Sequence, residues 1–220
     1  MDYIIMDTRF CERKLFPNQP EILNSISALY ICYISYKDLL KLQNSRRIEL
    51  HANPIIIMTH SCIFINGIAA FLYHWTESYL FKICDAYTMI IPMWLTISNI
   101  FIRINVPYTW IIIFSLINII ILLLIVYSWF DYYFPFVFGF EMLLIIPLYS
   151  KTIMHNRISN INTKLINNGS KGICICGLSA AIWIISEKYC NIYLILGHSL
   201  WHIGMSTGVS YILNYFYNIN

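Results

Sequence analysis

Charge is scarce in this chain of 220 residues: Asp, Glu, Lys and Arg make up 11%, against 59% hydrophobic residues and a mean hydropathy of +0.63. That shortage excludes a soluble globular domain and points to a polytopic membrane protein. The net charge of +3 is too small for a nucleic-acid partner. Internal repeats, Gly/Ser linkers and long charge runs are also missing, so nothing marks a second domain. A cleavable leader is not expected, because Arg9, Glu12, Arg13 and Lys14 interrupt the opening before an apolar core can form. The first apolar stretch reads as an uncleaved signal-anchor. Cys174 and Cys176 point to different helix faces, so they do not make a zinc knuckle.

What is abundant is apolar sequence in lengths suited to a bilayer. A spanning helix needs about 20 mostly apolar residues. Seven such stretches are expected, at residues 22–40, 54–73, 85–102, 108–128, 134–149, 172–186 and 191–215. The fold class is therefore all-α, an integral membrane bundle of seven transmembrane helices. Residues 1–21 form a tail, 22–217 the bundle and 218–220 a short C-terminus. With seven crossings, Lys37, Lys41, Arg46, Arg47, Arg103, Lys151, Arg157, Lys164 and Lys171 share one side. Arg9, Arg13, Lys14, Lys82 and Lys188 share the other. By the positive-inside rule the N-terminus is outside or lumenal and the C-terminus cytoplasmic. The Asn-rich stretch 155–171 reads as one mobile cytoplasmic loop.

Ionisable side chains are rare in hydrocarbon and by default mark a functional site. Here His74 ends the second stretch, Asp85 begins the third, and His198 and His202 lie near the start of the last. Alternating crossings bring all four to the outer end. His198 and His202 are four apart, so on a helix they stack on one face about 6 Å apart. With His74 they offer three imidazoles to a catalytic zinc ion, which binds nitrogen at about 2.1 Å. His60 lies about 21 Å along the helix from His74 and reads as a packing residue; His51 and His155 fall in cytoplasmic loops. Glu141, inside the fifth stretch, reads as an interhelical hydrogen bond or a misplaced boundary rather than a catalytic group. Cys11 in the tail and Cys190 in the last outer loop both face the oxidising side, where a disulfide can tie tail to bundle; Cys84 is the competing partner.

At this point the residues resemble the alkaline ceramidases, within the seven-span zinc hydrolases that include the adiponectin and progestin receptor relatives. Phe10-Cys11-Glu12, followed by Glu21, Asn24 and Ser27, is similar to the family's opening. Gly67 through Tyr73-His74-Trp75-Thr76, then Asp85 and Met89, resembles its Gly-rich turn, His-x-Thr and Asp-x-x-x-Met pattern. Trp183 and Cys190, followed by Gly197-His198-Ser199-Leu200-Trp201-His202, are close to its His-x-x-Trp-His signature. The resemblance implies zinc at His74, His198 and His202, and Asp85 as the catalytic acid/base. It implies hydrolysis of the N-acyl amide of ceramide-like membrane lipids to fatty acid and sphingoid base. It also implies the endoplasmic reticulum or Golgi as location, if the source is eukaryotic.

Two departures from the family bear on function. The Ser expected four residues before His74 is Ala70 here, which removes a hydroxyl donor that Ser27, Thr76 or a water would have to replace. The family's tail holds calcium, but Arg9 and Lys14 stand where an acid and an amide would lie, so Glu12 and Glu21 are expected to bind Ca²⁺ weakly or not at all. Asp7 would compensate, or Arg9 or Lys14 would pair with Glu12 and hold the tail without metal. Glu21, Asn24 and Ser27 read alternatively as a helix cap with polar packing. Three hypotheses follow: a zinc amidase, a zinc-binding receptor-like protein that has lost turnover, and a metal-free structural protein.

Overall fold

A computed structural model describes residues 10–44, 54–127, 130–157 and 163–218. Asp7, Arg9, Arg46, Arg47 and His51 therefore lie outside the described residues. Every regular element among those described is helical. A five-residue helix α1 (Cys11–Leu15) precedes seven longer ones: α2 (Ile22–Asn44), α3 (Pro54–Thr76), α4 (Tyr79–Arg103), α5 (Tyr108–Tyr127), α6 (Phe130–Arg157), α7 (Thr163–Lys188) and α8 (Gly197–Asn218). Among the described residues, four apolar segments are long enough to cross a membrane: Pro54–Thr76, Tyr79–Ile102, Phe136–Ile153 and Ile166–Lys188. The chain is thus an all-helical membrane protein.

Prolines explain the starts that the sequence places well. Pro54 opens α3, where its missing N–H would be unsatisfied anyway, and Pro107 immediately precedes α5. Tight corners separate the antiparallel pairs: Glu77 (φ 55°) turns α3 into α4, and Asn105 (φ 56°) turns α4 toward α5. Asn tolerates the left-handed region well. Glu77 tolerates it less well, and its carboxylate is held by Arg13 of the tail.

The helices form a ring. α3 packs on α2 and α4, α2 on α8, and α8 along α7; α6 closes the ring from α4, with α5 packed outside α4 and α6. The α6–α7 seam is sparse. By contrast α7 and α8 approach closely, because a Cβ on Gly172 would sit 2.6 Å from the Gly208 carbonyl oxygen and one on Gly208 would sit 2.8 Å from that of Gly172. Small residues allow such approaches where lipid gives no hydrophobic drive. Trp201, Met205, Tyr215 and Phe216 of α8, with Ile97, Ile100 and Tyr149, fill the main core.

Three sequence readings need correction. The supposed loop 155–171 is helical from Thr163 onward, and His155 lies within α6. Asn and Gly weaken a helix locally, but Gly169 is packed against Tyr149 and Tyr215, and tertiary contact decides. The last helix begins at Gly197 rather than 191, because Asn191 caps a turn by accepting the Tyr193 and Leu194 amides. Gly67 is no turn residue; it sits inside α3, where a Cβ would meet the Cys32 amide nitrogen at 2.7 Å.

Candidate metal centre and its cavity

Helix ends assemble the site. The last turn of α3 carries His74 and the first turn of α8 carries His198, with His202 one turn on. All three are buried, and one nitrogen from each lies within 4.8 Å of the others. Among the described residues they form a group able to share an ion, and Asp85 is not part of it.

Second partners fix which nitrogen His74 and His202 present. His74 Nδ1 donates to Glu21 Oε2 at 2.6 Å. His202 Nδ1 donates to Ser27 Oγ at 2.9 Å, while that hydroxyl donates to the Asn24 carbonyl at 2.9 Å. Both Nε2 atoms are thereby left unprotonated. His198 Nε2 lies 3.2 Å from His202 Nε2, and His198 Nδ1 lies 3.9 Å from Glu187 Oε1 with no hydrogen-bond partner. With a proton on His198 Nε2 this contact is a hydrogen bond to His202; with both nitrogens unprotonated, a cation shared between the rings would relieve the repulsion of their lone pairs. Two nitrogens 2.1 Å from a tetrahedral ion stand about 3.4 Å apart, so the donor set fits zinc. Carboxylate partners on the far ring nitrogen are the usual support for such ligands.

The tail covers this end of the bundle. Phe10 lays its ring 4.1 Å from that of His198 and 5.1 Å from that of His74, centroid to centroid. Cys11 donates its amide to Glu187 Oε2 at 2.8 Å and is disulfide-bonded to Cys190, while Cys84 stays a thiol. Glu12 accepts the Leu23 and Asn24 amides at 2.8 and 3.0 Å, satisfying the N-terminus of α2. Lys14 faces Glu187 at 4.0 Å rather than Glu12. Burial raises the Glu12 carboxyl, against those two amides that lower it. Burial pushes Glu21 up to about 7, opposed by Asn24 and by Arg13. The two acids considered for calcium are thus engaged as a helix cap and as a histidine partner.

A cavity of about 650 Å³ lies inside the ring, and His198, His202, Asp85 and Ala70 all line it. Asn66 donates to Asp85 Oδ1 at 2.7 Å and to its carbonyl at 3.0 Å, so the carboxylate is oriented with Oδ2 free. Ser27 and Thr76 do not line the cavity; the Thr76 hydroxyl donates to the Leu72 carbonyl at 2.7 Å. Trp183 does line it, packs against His198, and has a buried indole N–H without a partner among the described residues. Elsewhere the wall is mostly apolar, interrupted by Thr59, Thr88, Thr96 and Ser206. Leu143 and Ile146 of α6 and Ile184 of α7 line it and are also exposed, beside the sparse α6–α7 seam. His60 is buried, away from the triad, and its carbonyl accepts from Ser35 at 2.5 Å.

Glu187 is the site residue the sequence did not reveal. It reads there as an ordinary acid ending an apolar stretch, and only the fold brings it to His198. No individually curated protein matches the chain. The Ceramidase family matches it over residues 7–220. With that match covering nearly its whole length, the chain belongs to the ceramidase family.

Proposed function

We propose that this protein is a zinc-dependent membrane amidase that cleaves the N-acyl amide of ceramide-like lipids, giving fatty acid and sphingoid base. The observation that carries this reading is the three-histidine cluster, with His74 and His202 oriented by Glu21 and Ser27, on a mostly apolar cavity beside the sparse α6–α7 seam. All seven long helices cross in this reading, with the tail (1–21) outside or lumenal, the bundle at 22–217 and a cytoplasmic C-terminus at 218–220. An internal membrane such as the endoplasmic reticulum or Golgi is the proposed location. Calcium has no role in this reading, since Glu12 and Glu21 are already partnered.

His74, His198 and His202 would hold the zinc, which supplies Lewis acidity toward the amide carbonyl and an acidified water. Asp85, held through Oδ1 by Asn66, uses Oδ2 to take the proton from the attacking water and returns it to the leaving nitrogen. The acyl chain lies along the apolar wall and reaches it through the α6–α7 seam. Phe10 and the disulfide-tied tail exclude bulk water from the same end.

A second reading rests on Ala70. With Ser27 and Thr76 engaged away from the cavity, the hydroxyl missing there is not replaced by either. A zinc-binding protein with impaired turnover would look the same. Purified protein is expected to carry one zinc per chain and to release fatty acid from a labelled ceramide panel, with Asp85→Ala retaining zinc and losing turnover. Zinc without hydrolysis, restored by Ala70→Ser, establishes the impaired enzyme; no zinc in wild type overturns both readings.

A further inference from the structure

On the opposite face of α6 lies a second cavity, of about 610 Å³, between α4, α5 and α6. No residue lines both cavities. Its wall is aliphatic and aromatic apart from Asn118 and Glu141. Trp110 is 62% exposed in the first turn of α5, at the rim. Asn118 and Glu141 are each only 2% exposed. Asn118 is ten residues beyond Tyr108, about 15 Å along the axis and so near the middle of α5.

The interhelical hydrogen bond expected of Glu141 is not made. Neither of its carboxyl oxygens has a partner among the described residues. Asn118 spends an amide proton on the Phe114 carbonyl at 3.1 Å, while its Oδ1 is also unpartnered. With Glu141 ionised, as an approaching ammonium would hold it, the cavity presents three buried acceptor oxygens in the interiors of α5 and α6, two on the acidic group, with the Asn118 amide already donating. Buried polar groups are nearly always paired, and an unpaired acid at this depth is by default a functional site.

Counting donors selects the ligand. A primary ammonium brings three N–H donors, a positive charge and no acceptor. An alcohol brings one donor and lone pairs of its own, a fatty acid adds acceptors and like charge, and a quaternary ammonium donates nothing. The apolar walls suit a hydrocarbon chain, and the volume falls within the ~300–1,000 Å³ of ligand pockets. We propose that this cavity binds a single-chain lipid amine, its ammonium on Glu141 and Asn118 and its chain along α4, α5 and α6. The amide cleavage proposed above releases an amine of this class, but the site rests on the acceptor count and does not require that activity.

The test is equilibrium binding of tritiated octadecylamine to the full chain in phosphatidylcholine nanodiscs, together with mapping of a photoreactive alkylamine. Binding is expected to saturate, to be displaced by octadecylamine but not by octadecanol or octadecyltrimethylammonium, and to crosslink α5 and α6. Glu141→Gln should weaken it at least tenfold and Asn118→Leu at least threefold, with Tm checked for each variant. Equal displacement by all three lipids, unchanged binding in a folded Glu141→Gln, or crosslinks confined to the histidine cavity would overturn the proposal. Should Glu141→Gln not fold, wild-type affinity in Asn118→Leu overturns it equally.

Discussion

At the scale of single residues, the three histidines were legible because ionisable groups stand out in apolar sequence and the His198–His202 spacing fixes a shared helix face. Their partners were not, since a carboxylate's role depends on which ring nitrogen it meets. Glu21 was weighed for calcium, and Glu187 was not singled out at all. Outer partners of metal-binding histidines typically contribute ~10–100-fold to metal affinity. Zinc affinity, measured by competition with a chromophoric chelator, is therefore expected to fall about that much in Glu21→Gln and by less in Glu187→Gln, whose carboxylate stands 3.9 Å from His198 Nδ1 and beyond hydrogen-bond distance. The Gln side chain in the latter can still accept the Cys11 amide, which separates loss of the His198 partner from loss of the tail. Trp183 is a second residue whose role came only with the fold. If its free indole N–H serves the substrate carbonyl in place of the hydroxyl lost at Ala70, Trp183→Phe should keep zinc and lower kcat by about 10²-fold with KM little changed. An unchanged kcat removes Trp183 from the reaction.

At the scale of elements, apolar runs and prolines placed the starts of α2, α3 and α5 at the expected residue. The ends were harder to read. Helices α6 and α7 extend well past their apolar runs, through sequence whose Asn, Gly and Lys content suggests a loop. What keeps α7 helical there is contact with α8, a tertiary effect with no local signature except the glycines themselves. The Gly172–Gly208 crossing also sets how close Glu187 lies to His198, since both residues ride on these two helices. Leu in place of Gly208 would drive its side chain into the Gly172 carbonyl and Cys176. Overpacking of this kind costs about 1–3 kcal/mol. Gly208→Leu is expected to lower Tm and, by parting α7 from α8, to weaken zinc binding as well. A Tm equal to wild type would show the seam to be more compliant than its geometry implies.

At the scale of the whole molecule, one end of the ring gathers the histidine cluster, Asp85, the tail and the Cys11–Cys190 bond. Composition alone indicated a membrane bundle, and charge asymmetry alone indicated its orientation, but the reason for the tail's placement emerged only from its contacts. Phe10 caps the imidazoles, Arg13 holds the α3–α4 corner, and Cys11 joins α1 to the residue just beyond α7. A disulfide persists in an oxidising compartment, and the Lys/Arg-rich connections belong on the cytoplasmic side. Both arguments support the proposed placement of this end outside or in the lumen. A glycosylation acceptor fused ahead of residue 1 should therefore be modified in cells, whereas one fused after residue 220 should not. A Cys11→Ser, Cys190→Ser protein should keep that pattern while its zinc becomes easier to strip, because the tail alone is released. Glycosylation at the C-terminal fusion instead would reverse the bundle and put the metal cluster in a reducing compartment, where the disulfide and the closed site that depends on it would not be maintained.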